Sequence, residues 1–215
     1  MAGKPARRGV VGGVLVLALV YCAVGYVTGA VPFPVQQRGE LTAGDLCGSI
    51  GDGERAAEEL RTTLPARREY SSSETNPPRS RDDISWQASC LLSGDGDLLL
   101  YASAELGWDA SARTWLDDPT RNYVDDEGKG TPFRAGSAAV VMAHTAQILV
   151  PCVPRQGTTP YHLVIEVHAN KPLEGSAKEN QHALAAVAVG TARSAHERAE
   201  CPLRSTIPPS VSGLE

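Results

Sequence analysis

The sequence lacks the short motifs that most often identify an enzyme. It contains no Gly-x-Ser-x-Gly motif, because the two glycine positions around Ser176 are occupied by Glu174 and Lys178. Ser176 and Lys178 are also one residue too close together for a Ser-x-x-Lys pair. No Cys-x-x-Cys is present, which removes a common signature of zinc sites and thiol oxidoreductases. The sequence therefore indicates no catalytic residue, no cofactor-binding residue and no metal ligand, and an enzyme is the less favoured interpretation.

Charged residues are missing from residues 9–37. As a helix, the apolar part of this stretch, residues 10–31, would extend about 33 Å, which is enough to cross a hydrocarbon core of about 30 Å. Three basic residues, Lys4, Arg7 and Arg8, precede it. Because basic residues favour the cytoplasmic side, we predict a single-pass signal-anchor helix in the cell membrane, with the C-terminal part outside.

Two other fates of this N-terminal stretch are open at the level of sequence. Thr28-Gly29-Ala30 resembles a weak cleavage site, so the segment is alternatively a secretory signal cleaved after Ala30. We favour the uncleaved anchor because the apolar run exceeds the roughly 7–15 residues typical of such signals. Cys22 is a third possibility, as a lipidation site, but the bulky Tyr21 before it argues against that chemistry. We interpret Cys22 as an apolar residue of the membrane helix.

Basic residues are outnumbered in the remainder of the chain, which carries 17 of the 20 basic residues and all 25 acidic residues. This acidic balance argues against nucleic acid as a partner. The densest acidic clusters, 117–118 and 125–127, are interpreted as solvated loops, with a cation site as the minority alternative.

Cysteine is rare, and four of the five cysteines lie beyond the apolar stretch: Cys47, Cys90, Cys152 and Cys201. An even number in an exported domain indicates two disulfides, for which three pairings exist. We favour Cys47–Cys90 and Cys152–Cys201, because each pair then connects a helix to a nearby strand within one half of the domain. The spacings are too long for a typical zinc site.

The hydropathy pattern predicts an α+β domain of antiparallel hairpins with helices on one face. A helix is expected over residues 53–64, a hairpin over 86–104, and a second hairpin over 138–152. Residues 161–169 alternate as a strand, and 178–200 form an alanine-rich helix. Other stretches are expected to be non-strand: an exposed loop over 66–83, a short helix over 108–116, a long loop over 117–136, and a tail from 202.

Histidines are few, and three residues of the predicted strand, His162, Glu166 and His168, are the best metal candidates by residue type. The strand geometry argues against them, because about 3.3 Å per residue separates His162 from His168 by roughly 20 Å. A solvated outer face is the favoured interpretation. The remaining polar candidates are assigned structural or surface roles, namely a turn at Asp95-x-Asp97 and helix-surface positions for His182 and His196.

Aromatic residues make up only 5% of the chain, with two phenylalanines. The three tryptophans, Trp86, Trp108 and Trp115, are therefore expected in the core, with a groove for a sugar or peptide as the alternative.

The placement of the cysteines resembles a loose group of actinobacterial envelope proteins of unknown function, membrane-anchored or lipoprotein-like. Leu46-Cys47 stands before a helix, Ser89-Cys90 lies in a hairpin, and Val150-Pro151-Cys152 is followed by Cys201. The resemblance covers most of residues 40–201 and implies no activity.

These observations predict a membrane-anchored envelope protein whose exported domain binds a partner, an envelope protein among the candidates. The alternative is an extracytoplasmic hydrolase whose carboxylates are brought together by the fold. The expected organisation is a cytoplasmic N-terminus (1–9), an anchor (10–31), a stalk (32–41), an extracytoplasmic α+β domain (42–201) and a flexible tail (202–215).

Overall fold

A computed structural model describes residues 38–79, 85–108, 111–116, 130–153 and 160–214. The predicted anchor and the acidic clusters at 117–118 and 125–127 lie outside these residues, so those predictions stand as made. No helix among the described residues has both the length and the apolar character needed to span a bilayer. The described elements are two 3-10 turns (Ala43–Asp45 and Gly48–Ile50), α1 (Gly53–Thr63), α2 (Ala112–Leu116), α3 (Ala177–Arg198), β1 (Tyr70–Thr75), β2 (Gln87–Gly94), β3 (Asp97–Trp108), β4 (Thr131–Pro132), β5 (Ala138–Val141), β6 (Thr145–Val153) and β7 (Tyr161–Ala169).

The strands of the described residues form one seven-stranded antiparallel sheet in the order β1-β2-β3-β7-β6-β5-β4. The predicted β2–β3 hairpin is confirmed, and its turn residues Asp95 and Gly96 both have positive φ, as tight hairpin turns require. The second hairpin, β5–β6, is also confirmed. Pairing of β3 with β7 joins the two hairpins, with Ala102 opposite Val167. The α+β class is therefore confirmed.

Helix α3 contacts β3, β5, β6 and β7, and α1 packs against α3. Ser176 caps α3: its hydroxyl accepts the Glu179 N–H at 3.4 Å, and its own N–H donates to the Glu179 carboxylate at 2.8 Å. Hydrogen bonding from the Ser176 side chain, and then from its backbone, holds the pKa of Glu179 below its ordinary value. Alanines dominate the buried side of α3, so its backbone lies close to its neighbours. The predicted core positions of α3 are all buried: Leu184, Val187, Ala188, Thr191, Ala195 and Ala199.

Both predicted disulfides are confirmed. Cys47–Cys90 connects the chain between the two 3-10 turns to β2, and Cys152–Cys201 connects β6 to the residues that follow α3. The four cysteines belong to the same hydrophobic core, three of them fully buried and Cys201 at its margin.

Some segments differ from the prediction. The loop expected over 66–83 contains β1, which pairs with β2 from Tyr70 opposite Gly94 to Thr75 opposite Ser89. Five of the six β1 residues are exposed, so this edge strand has no apolar alternation and is held by its backbone pairing. The helix expected over 108–116 begins only at Ala112, because β3 continues to Trp108.

The segment predicted as a flexible tail lies along the domain over residues 202–214. The Leu203 N–H donates to the Cys152 carbonyl at 3.3 Å, and the Thr206 hydroxyl donates to the Gly136 carbonyl at 2.7 Å. Arg55 Nη1 donates to the Pro209 carbonyl oxygen at 2.9 Å. Half-buried apolar side chains complete the attachment: Ile207, Val211 and Leu214.

Candidate binding cleft

The predicted histidine candidates take structural positions. His162 is only 4% exposed, so the expectation of a solvated outer face on β7 is wrong for this residue. Its burial follows from the register, which places it on a central strand between Trp108 of β3 and Pro151 of β6. His168 Nδ1 lies 3.0 Å from the hydroxyl of the buried Thr145. Among the described residues, no group of three or more His, Cys, Asp or Glu residues is arranged to hold a metal ion.

The other polar candidates also stabilise the fold. His182 Nδ1 lies 3.1 Å from the Glu59 carboxylate, which connects α3 to α1, and His196 Nε2 lies 2.9 Å from the Leu203 carbonyl oxygen. The Asp95 carboxylate accepts the Arg68 N–H in the β2–β3 turn. Asp97 pairs with Arg67 at 3.2 Å and with Lys171 at 3.7 Å.

Two tryptophans are core residues, as expected. Trp86 and Trp115 are each 2% exposed. The indole Nε1 of Trp86 donates to the Pro77 carbonyl oxygen at 2.8 Å, which fixes the ring. The side chain of Trp108 lies outside the described part of the chain. An aromatic groove is therefore not formed by Trp86 and Trp115.

A cleft that the sequence did not predict lies where the C-terminal half of α3 meets residues 48–52. Two glycines, one on each side, allow the backbones of α3 and of residues 48–52 to approach each other closely. A β-carbon on Gly51, whose φ is +85°, would lie 2.5 Å from the Gly190 carbonyl oxygen, and one on Gly190 would overlap the Ile50 carbonyl oxygen. Ser194 supports the same contact, since its hydroxyl donates to the Gly48 carbonyl oxygen at 3.4 Å. The junction of α3 with residues 48–52, from which the cleft walls rise, is therefore closely packed backbone.

The cleft has a volume of about 420 Å³, within the roughly 300–1,000 Å³ common for small-molecule sites. It is lined by Arg193 and Arg198, by the acidic Asp52 and Glu197, and by glycine backbone. Asp52 is already engaged, because it accepts the Arg55 N–H at the start of α1 and pairs with the Arg55 side chain at 3.8 Å. In the described part of the chain, neither arginine of the cleft makes a hydrogen bond or ion pair. Two guanidinium groups thus face the cleft with their donors available.

A small side pocket of about 10 Å³ adjoins the cleft and shares Ser194 and Arg198 with it. Two buried hydroxyls line this pocket, those of Ser49 (6% exposed) and Thr191 (2% exposed). Neither hydroxyl has a hydrogen-bond partner among the described residues. The other residues that line it are two polar ones, Asn76 and Ser89, and five apolar ones: Trp86, Ala88, Ala102, Ala104 and Ala195. Because a buried hydroxyl without a partner is costly, the pairing of these two groups is open to a direct test.

The substitution Thr191→Val tests whether the Thr191 hydroxyl lacks a hydrogen-bond partner in the ligand-free protein. The substitution keeps the side-chain shape and removes an unpaired buried polar group, so we expect the free energy of unfolding to rise by about 1 kcal/mol. The melting temperature should rise by about 2–4 °C in a calorimetric or fluorescence melt. Thr63→Val is the matched control: Thr63 is equally buried, but its hydroxyl donates to the Glu59 carbonyl at 3.1 Å, so this variant should lose stability. A Thr191→Val variant destabilised like Thr63→Val would show that the hydroxyl has a partner.

One feature of the sequence does indicate the close backbone contact that borders the cleft. A glycine inside a helix costs about 1 kcal/mol relative to alanine, so Gly190 in the alanine-rich α3 indicates a close backbone contact. The partner of that contact, residues 48–52, is distant in sequence and not inferable from local pattern.

No protein-family model, curated protein or solved structure matches this chain. The functional interpretation therefore depends on the geometry of the cleft and its side pocket.

Proposed function

We propose that the chain is a single-pass membrane protein whose extracytoplasmic domain is a binding module, with the cleft beside α3 as its binding site. The charge-free stretch 9–37 with basic residues before it supports the anchor and its orientation. Two disulfides support an oxidising compartment for the domain. This interpretation makes the protein a receptor-like component of the cell envelope.

The observation that carries the binding role is a pair of guanidinium groups, those of Arg193 and Arg198, that line the cleft and have no partner among the described residues. Both side chains are exposed on α3, so their guanidinium groups are open to a ligand. Arginine is the side chain best suited to planar, two-point recognition of carboxylate and phosphate groups. The cleft therefore offers recognition groups that the fold itself does not use.

The competing hypothesis is a hydrolase that uses two carboxylates. Asp52 and Glu197 both line the cleft, which is the observation in its favour. Against it, Asp52 is committed to capping α1 and to Arg55, so it is poorly placed to exchange protons with a substrate. Binding is the function that the cleft supports better.

A crosslinked pull-down of the full-length protein from native membranes tests this proposal. The double variant Arg193→Gln/Arg198→Gln should lose about tenfold or more of the captured partner, because a charged hydrogen-bonding pair contributes about 1.5–3 kcal/mol. Arg204→Gln is the matched control, an exposed arginine outside the cleft. Equal capture by all three proteins would contradict a binding role for the cleft, and recovery of the protein from the soluble fraction would contradict the anchor.

A further inference from the structure

Resting on the binding role proposed above, we infer that the cleft recognises the carboxyl-terminal end of a peptide whose last residue is small, with alanine as the best fit. The carboxylate contacts Arg198, and the methyl group enters the side pocket. The preceding peptide units occupy the larger cleft. This assignment follows from the charge at Arg198, the size of the side pocket and the volume of the cleft.

Arg198 is the arginine of the cleft with no acidic residue three or four positions away in the sequence. Arg193 and Glu197 are four residues apart on α3, a spacing at which opposite charges lie side by side. Arg198 has Ser194 at the corresponding position, and Glu197 beside it in sequence points elsewhere on the helix. A single anionic group is therefore the complement of this position.

An acidic group from another element, Glu74 of β1, lies beside the same glycine, Gly48, and is already occupied. Its carboxylate accepts the N–H groups of Gly48 and Ser49, at 3.2 and 2.9 Å, and the Asn76 side-chain amide at 2.9 Å. Arg198 Nη2 lies close to the same backbone, because a β-carbon on Gly48 would be 3.4 Å from it. The guanidinium thus lies at the junction of the cleft and the side pocket.

The side pocket selects for size. Its volume of about 10 Å³ is about the space of one water molecule or one methyl group. Trp86 and the four alanines of its walls are buried, and the alanines lie on β2, β3 and α3, so the pocket is not expected to widen for a larger side chain. The Ser49 and Thr191 hydroxyls belong to the same wall and are themselves buried. A ligand with a carboxylate next to a methyl group matches the combination of a guanidinium at Arg198 and a pocket of this size.

The rest of the cleft indicates a peptide and not a small acid. Its volume of about 420 Å³ far exceeds what a two- or three-carbon acid fills, and its lining is mostly polar. Glu197 and the glycine backbones offer acceptors for amide N–H groups. A chain of several amide units uses these groups, whereas a purely apolar ligand does not.

Titration calorimetry on the full-length protein in detergent micelles tests the assignment. The probes are N-acetyl-Gly-Gly-Ala, the same peptide with a carboxyl-terminal amide, and N-acetyl-Gly-Gly-Leu. We expect the alanine acid to bind with a dissociation constant of millimolar or lower. The amide and the leucine peptide should each bind about tenfold more weakly or worse, because one loses the charged contact and the other does not fit the pocket.

Variants separate the roles of the residues. Arg198→Gln should reduce affinity for the alanine acid by about tenfold or more and abolish the preference for acid over amide, whereas Arg204→Gln should change neither. Melting temperatures close to that of the parent protein confirm that these surface variants are folded. Equal binding of acid and amide, equal binding of the alanine and leucine peptides, or no binding at millimolar concentration would each overturn the assignment.

The outcome is distinguishable from failure of the proposed binding role. If Arg198→Gln loses the partner captured from membranes but no peptide binds, the cleft is a binding site for another ligand class. If Arg198→Gln retains that partner in full, the binding role of the cleft itself fails.

Discussion

Replacing Cys47 and Cys90 together by alanine is expected to lower the free energy of unfolding by about 4 kcal/mol. The disulfide closes a loop over a sequence separation of 43 residues, and the chain-entropy estimate for a loop of that length is about 4 kcal/mol. Such a loss is a large fraction of the roughly 5–15 kcal/mol by which domains are stable. Urea unfolding followed by tryptophan fluorescence measures it, since Trp86 is adjacent to β2 in the core.

The control for this variant is Cys22→Ala, which leaves both disulfides of the domain intact and should unfold at the parent's urea concentration. Because Cys47 immediately precedes the 48–50 turn, loss of its disulfide also frees one wall of the cleft. Peptide affinity should therefore fall with stability in Cys47→Ala/Cys90→Ala. A variant within 1 kcal/mol of the parent would mean that the core alone fixes this segment.

Gly190→Ala is expected to lower the free energy of unfolding by about 2–3 kcal/mol, although alanine is the better helix former by about 1 kcal/mol. The new β-carbon would overlap the Ile50 carbonyl oxygen, and backbone on the other side of the contact, at Gly51, must move. This shift separates α3 from residues 48–52 and changes the shape of the cleft. Thermal unfolding and peptide titration of the same sample measure both consequences.

Gly53→Ala is the matched control for that substitution. A β-carbon at Gly53 meets its nearest atom, the Ala43 β-carbon, at 3.4 Å, an ordinary contact, so this variant should remain within about 0.5 kcal/mol of the parent. If Gly190→Ala were as stable as Gly53→Ala, the close approach of α3 to Ile50 would be wrong, and with it the rigid cleft wall.

The elements predicted best are those with a strong periodic signal. Strand β7 has the predicted bounds, and α3 has the predicted core positions, because alternating and helical apolar spacing reports directly on burial. Strand β1 has no such signal: its serines are exposed, and only its pairing with β2 makes it a strand. The local hydropathy pattern therefore located the core strands and missed the edge strand β1.

The cleft was not predictable from sequence for a related reason. It is assembled from residues 48–52 and 190–198, and its charged residues look like any solvated helix surface. Residues of the types that perform chemistry, such as His162 and Ser176, do not lead to it, because the fold uses both for its own structure. What distinguishes Arg198 is the lack of a partner within the described residues, which is a property of the tertiary contacts.

The order of the disulfides along the chain has a consequence for biogenesis. The cysteines of the domain pair with their nearest neighbours in sequence, Cys47 with Cys90 and Cys152 with Cys201, so the two covalent loops do not overlap. A domain that is oxidised progressively during export reaches this connectivity by joining each new cysteine to the preceding unpaired one. In such a domain the native bonds form without reshuffling, and the long-range pairing of β3 with β7 is the step that topology makes slow.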